Sequence, residues 1–205
     1  MTYDGIVSRY LNRPFSRPMA RALRNTPATP NAVTIFTLAL SAVTAALVAA
    51  GANIIGGILI QVVSVVDGVD GELARLKNMS SRFGAVLDAV TDRYADALML
   101  GGMTIYAARF EDWPRPEVVG VLAVAAALIV SYSRARIEAS MQIAPSDGVF
   151  GLASRDVRSL VAAIGTVLGF CYWTLVVLAA ASALTVAWRL AYLRFAGPPA
   201  GATSG

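Results

Sequence analysis

Apolar runs near 20 residues long, parted by very short polar turns, dominate this chain. A helix needs about 20 such residues to cross the hydrocarbon of a bilayer. They recur at 31–50, from 54 to 66, and at 81–107, 116–132, 160–173 and 174–192, with a turn as short as Gly51 to Asn53. Within lipid the backbone must satisfy its own hydrogen bonds, so these runs predict helices and an all-α integral membrane protein with about six transmembrane helices. Composition agrees: 57% of the 205 residues are hydrophobic and 15% charged, too apolar for an ordinary soluble domain. Residues 29–196 are expected to form one membrane domain, with no room for a separate soluble one, and residues 197–205, rich in Gly, Ala and Pro, a disordered tail.

Residues 1–28 have another character. Arg9, Arg13, Arg17 and Arg21 recur four apart with Ile6, Tyr10, Leu11, Phe15, Met19 and Leu23 between them, the pattern of an amphipathic helix lying in the membrane interface. Pro14 and Pro18 should break or kink it. Arginines and prolines replace the compact apolar core of a cleaved signal peptide, so the first span should be retained. With the N-terminus inside, all 17 Lys and Arg residues except Arg109 and Arg115 fall on or near the cytoplasmic side, as expected for a multi-pass protein of the cell (inner) membrane with both termini cytoplasmic.

The single cysteine, Cys171, and the absence of histidine exclude an intrachain disulfide framework, His-based metal sites and His-based triads. Metal chemistry would fall to carboxylates. Asp67 and Asp70 are three residues apart, and Asp88 and Asp92 four apart, so each pair projects from one helix face. A short polar turn near Asn78 to Ser81 should make the two helices antiparallel neighbours with their pairs facing. Ionised aspartates inside a bilayer are expensive and persist with partners beside a polar cavity. Mg²⁺ or Mn²⁺, which take oxygen ligands and leave positions for water and phosphate, would compensate four of them, and two such ions could clamp the attacking and leaving oxygens of a displacement. Salt bridges to Arg75, Arg82 and Arg93 are the plainer alternative, and Asp96 could tune the site or hold Arg93.

The pattern Asp67-x2-Asp70-Gly71-x2-Ala74-Arg75-x8-Gly84-x3-Asp88-x3-Asp92 resembles the complete signature of the CDP-alcohol phosphotransferases, with eight residues fixed over 26 positions. The resemblance implies that Asp67, Asp70 and Asp88 bind the metals, that Asp92 binds metal and acts as general base on the acceptor hydroxyl, and that Gly71, Ala74 and Arg75 lie against the CDP group. Gly71 and Gly84, each one turn from an aspartate, would let the nucleotide approach the backbone, although helix packing also explains glycines. Gly68 and Gly101 read as packing residues. Thr29-Pro30-Asn31 resembles the family's usual start of the first span, which places Asn31 with the CDP-binding residues; a simple helix cap accounts for it too.

A second cluster, Arg134, Arg136, Arg155 and Arg158, follows the fourth span. Basic residues belong on the cytoplasmic side in any case. Arg134 and Arg155, however, match positions where inositol-phosphate-using relatives carry basic residues, so the four arginines are expected to hold the phosphate of a phosphorylated polyol, inositol 1-phosphate before glycerol 3-phosphate. The runs around Asp70, Ser80 and Asp92 further resemble the membrane domain of di-myo-inositol phosphate phosphate synthases. That likeness implies a CDP-inositol donor, supplied by a separate cytidylyltransferase. The alternative is a phospholipid synthase using CDP-diacylglycerol. A homodimer among membrane lipids is the family expectation, and no nucleic-acid partner is expected. An ion-coupled transporter is the rival from another class, and it leaves the glycine, alanine and arginine spacing unexplained.

Overall fold

The computed structural model of the protein describes residues 7–141 and 154–195; the tail expected at 197–205 and the first residues of the interfacial segment lie outside that range. The described residues contain helices and no strand. They form α1 (Arg13–Leu23), α2 (Pro30–Ala49), α3 (Asn53–Leu76), α4 (Arg82–Phe110), α5 (Pro116–Met141), α6 (Arg155–Val167) and α7 (Cys171–Phe195).

Helices α2, α3, α5 and α7 are each long and apolar enough to cross a membrane. Helix α4 has 29 residues, about 43 Å at 1.5 Å each, with its acids gathered in its first half. Helix α6 has only 13 residues, about 20 Å, well short of a bilayer core. The expected boundary between the last two spans, at residues 173 and 174, is therefore corrected. The chain turns at Gly169, whose φ of +72° suits a residue without a side chain. There the Phe170 amide donates to the Gly165 carbonyl at 2.9 Å. Apolar residues flank this glycine, so no polar break marks the turn in the sequence.

Close approach of the helices depends on small residues. A Cβ on Gly102 would lie 2.6 Å from the Ala45 carbonyl oxygen, and one on Gly57 would lie 2.8 Å from that of Ala163, so α4 meets α2 and α3 meets α6 backbone to backbone. Val48, Ile60, Val63, Met103 and Leu175 fill the core between them. Gly101, expected to serve packing, has no neighbour within 4 Å among the described residues, so it packs against nothing within the described chain.

Helix α2 packs against both α3 and α4, whereas α3 and α4 barely touch backbone to backbone. The two aspartate-bearing helices do bring carboxylates face to face, Asp67 against Asp88 and Asp92, but across a gap rather than through close backbone packing. Space between them is what ions and phosphates would need.

The interfacial segment also differs from expectation. Helix α1 runs unbroken through Pro18, preceded by a π-helical stretch, Ser8–Asn12, whose wider turns lead into Pro14. Asn12, Ser16 and Ala20 are buried, while Tyr10, Phe15 and Met19 are exposed. Asn12, Ser16 and Ala20 thus face the bundle, with Leu23 packed against its core, while Tyr10, Phe15 and Met19 face away from it. Arg13 of α1 pairs with Glu72 of α3, fastening the segment to a helix that carries the acids.

Candidate active site

The turn between α3 and α4 builds the site. Asn78 takes a left-handed conformation (φ +54°), which asparagine tolerates, and the Met79 amide donates to the Ala74 carbonyl at 2.9 Å to close α3. Ser81 then caps α4, its hydroxyl accepting from the Gly84 amide at 3.0 Å. Lys77 donates to the carbonyls of Thr26 and Ala28 at 2.6 and 2.7 Å, tying the connection between α1 and α2 to the same corner.

Three of the four signature aspartates converge. Asp67, Asp88 and Asp92, all half-buried, each offer a carboxylate oxygen within 4.8 Å of the others. This set of hard oxygen donors, drawn from two helices that stand apart, fits a divalent cation of the Mg²⁺ or Mn²⁺ type. Asp70 lies outside the triangle. It is buried and accepts from the Thr34 hydroxyl at 2.6 Å and from the Gly71 amide at 2.5 Å.

A cavity of about 200 Å³ opens on one side of the acids. Asn31, Gly71, Ala74, Arg75 and Gly84, the residues expected around CDP, all line it together with Asp70 and Asp88. A Cβ on Gly71 would meet only the Arg75 guanidinium, at 3.8 Å, so this glycine leaves open space against the backbone rather than serving a helix contact. Gly84 is tighter: a Cβ there would come within 3.2 Å of the Asn31 side chain. Gly68 faces Ser16 of α1 at ordinary packing distance.

A second cavity, of about 240 Å³, lies on the other side. Of the four arginines expected to hold the acceptor phosphate, Arg134, Arg155 and Arg158 line it together with Glu138, which accepts from Arg134 at 3.0 Å, whereas Arg136 is exposed and stays out of its wall. Arg93 and Arg189 join them. Buried Arg189 donates to the Val130 carbonyl at 2.8 Å and to the Ser133 hydroxyl at 3.0 Å. Sequence reasoning assigned it only to the basic cytoplasmic edge, although an arginine inside an apolar run (Trp188, Arg189, Leu190) is itself a functional signal.

Arg155 ties this second cavity to the carboxylates. Its Nη1 pairs with Asp67 and stands 2.8 Å from Asp92. The salt bridges considered as an alternative reading exist in part: Arg93 does reach Asp92, but Arg155, which that reading did not name, holds Asp67 and Asp92, while Arg75 pairs with Glu72 at 3.4 Å. Arg93 lies 3.8 Å from Asp92 and 3.6 Å from Asp96. Asp96 is buried and held most closely by Arg158, at 2.8 Å.

A carboxylate cluster between a small cavity lined by glycine and backbone and a second lined by guanidinium groups can bind two phosphorylated molecules on either side of a cation. Known proteins agree with that chemistry. A family profile described as CDP-alcohol phosphatidyltransferase matches residues 27–194. The bifunctional IPC transferase and DIPP synthase of Rubrobacter xylanophilus is 46% identical over 166 residues, covering 81% of this chain and 37% of the relative, so the chain spans little more than a third of that protein. The phosphatidylinositol phosphate synthase of Mycobacteroides abscessus is 36% identical over 199 residues, covering 93% of this chain and 89% of the relative. Among solved structures, the Mycobacterium tuberculosis phosphatidylinositol phosphate synthase with CDP-DAG bound superposes with a TM-score of 0.78 at 26% identity, covering 94% of this chain and 98% of that one. The same enzyme in complex with manganese and citrate gives 0.77 at 27% identity, with 93% of both chains covered.

Proposed function

The chain belongs to the CDP-alcohol phosphatidyltransferase family, and on that premise we propose that it transfers a phosphoalcohol group from a CDP-alcohol to the hydroxyl of inositol 1-phosphate, releasing CMP. The observation that carries the acceptor is the arginine-lined cavity, where Arg134, Arg155 and Arg189 from three helices surround a space suited to a phosphate dianion. For the donor, the likeness to the Rubrobacter protein favours CDP-inositol, made by a separate cytidylyltransferase. A second reading, CDP-diacylglycerol, is favoured by an apolar groove of about 640 Å³ between α1, α3 and α6, which has room for acyl chains.

In this mechanism Asn31, Gly71, Ala74 and Arg75 seat the cytidine diphosphate, with the backbone at Gly71 close to it. Asp67, Asp70, Asp88 and Asp92 would hold one or two divalent ions, which when bound neutralise pyrophosphate charge and stabilise departing CMP. Asp92 accepts the proton of the acceptor hydroxyl. That oxygen forms a bond to the phosphorus carrying the donor's alcohol, the bond to the CMP oxygen breaks, and CMP leaves with the electron pair. The arginines orient the acceptor, so most of the rate comes from positioning and electrostatics. We place the site on the cytoplasmic side of the inner membrane from the distribution of Lys and Arg, with α1 in the interface and a second copy of the chain as partner.

The test supplies purified protein in detergent with Mg²⁺ or Mn²⁺, inositol 1-phosphate, and either CDP-inositol or CDP-diacylglycerol, following CMP and product mass. CMP from CDP-inositol alone supports the solute reading; CMP from CDP-diacylglycerol alone replaces it with a phospholipid synthase. Silence with both overturns the acceptor.

A further inference from the structure

Asp96 stands outside the signature pattern and outside the carboxylate triangle, yet it is buried where three arginines meet. Its Oδ2 lies 2.8 Å from Arg158 Nη2 and 3.6 Å from Arg93 Nη1, and its Oδ1 lies 3.7 Å from Arg155 Nε. That Nε is buried and has no hydrogen-bond partner among the described residues. The other edge of the same guanidinium, at Nη1, is engaged by Asp67 and Asp92. Arg155 is thus shared between two carboxylates of the triangle and a third that lies outside it.

The charges involved compete. Asp67 and Asp92 cannot give all their lone pairs both to a guanidinium and to a divalent cation. A buried guanidinium, in turn, cannot give up its anionic partners without another within reach, because an unpaired buried charge is strongly disfavoured. Asp96 is that other partner: a small rotation of the guanidinium would bring Nε from 3.7 Å to hydrogen-bonding distance. Arg155 also lines the arginine cavity, so releasing its Nη1 edge would present that edge there.

We propose that Asp96 is a positioning residue that gives Arg155 a second anionic seat, so that Arg155 yields Asp67 and Asp92 to divalent cations and turns its freed edge toward the acceptor cavity. The inference rests on the reading of Asp67, Asp88 and Asp92 as metal ligands. It makes metal binding and acceptor binding cooperative through one side chain, with the cation favouring the arrangement that receives phosphate.

The experiment measures Mn²⁺ binding to the purified full chain by electron paramagnetic resonance, independently of turnover. Asp96→Asn should weaken Mn²⁺ by about tenfold, because Arg155 then has only the metal carboxylates to neutralise it, while Asp96→Glu, which keeps the charge, stays within about threefold. In an Arg155→Leu background the effect of Asp96→Asn should shrink to about twofold, the residue of direct attraction between charges. Equal effects in both backgrounds, or none in either, overturn the proposal. Should Asp96→Asn not fold, Arg155→Leu alone decides: removing the competitor should tighten Mn²⁺ by about tenfold, and unchanged or weaker binding overturns the proposal. Wild-type protein that binds no Mn²⁺ overturns the metal-site reading itself, an outcome distinct from all of these.

Discussion

The hydroxyl of Thr34 donates to the carboxylate of Asp70 across 2.6 Å, joining α2 to α3 at the wall of the glycine-lined cavity. Both residues are buried, so the carboxylate has little water to turn to if the hydroxyl is removed. Thr34→Val keeps the side-chain shape and deletes the donor. It should cost about 1–3 kcal/mol, visible as a lower thermal midpoint and a reduced midpoint shift on adding CMP with Mg²⁺. An unchanged midpoint would show that Asp70 finds another donor.

Asp92 carries the reaction's proton in the proposed mechanism. Asp92→Asn should preserve folding and CMP binding while lowering turnover by at least about 10²–10⁴-fold, the usual worth of a positioned base. Chelation with EDTA should silence the wild-type protein and abolish its stabilisation by CMP, both restored by Mg²⁺ or Mn²⁺. Retained turnover in Asp92→Asn refutes the base assignment whatever the metal result.

Arginines on the two sides of the cavity wall should separate in acceptor kinetics. Arg134→Ala and Arg189→Ala each remove a charged partner of phosphate, worth about 1.5–3 kcal/mol, so KM for inositol 1-phosphate should rise about ten- to a hundredfold with KM for the donor little changed. Arg136→Ala, exposed and outside the wall, should leave both within about twofold. Equal losses at all three positions would point to a general field rather than a pocket.

Gly71 gives the sharpest test of the nucleotide side. The nearest neighbour of an added Cβ is Arg75 at 3.8 Å, so Gly71→Ala should fold normally. It should raise the donor KM about tenfold by filling the space where the nucleotide approaches, and Gly71→Leu should bind no CMP at all. A loss of stability in Gly71→Ala without loss of CMP binding would make it a packing residue.

What the sequence disclosed follows from distance along the chain. Aspartates at helical spacing on two consecutive helices had to share faces, and Asp67, Asp88 and Asp92 do meet. Asn31, Gly71 and Gly84 gather in one cavity because short, well-capped turns leave the chain little freedom there. The gap between α3 and α4 was hidden because its cause, α2 packing on both, is tertiary. So was the grip of Arg155 on Asp67, 88 residues away. Arg189 looked like any arginine near a membrane edge until packing placed it beside Val130. The inward face of α1 was missed because Asn12, Ser16 and Ala20 lack the apolar character on which amphipathic periodicity depends.

The end of the bundle remote from the acids is stitched. Glu111, just past α4, accepts from the amides of Cys171 and Tyr172 at the start of α7, and Trp113, Tyr172 and Trp173 stack around that joint. Cations, water and phosphates would enter at the opposite end, where α3 and α4 stand apart. Glu111 follows Asp92 by 19 residues, about 28 Å along α4 at 1.5 Å each, so the aromatic joint anchors from its far end the helix that presents Asp88 and Asp92.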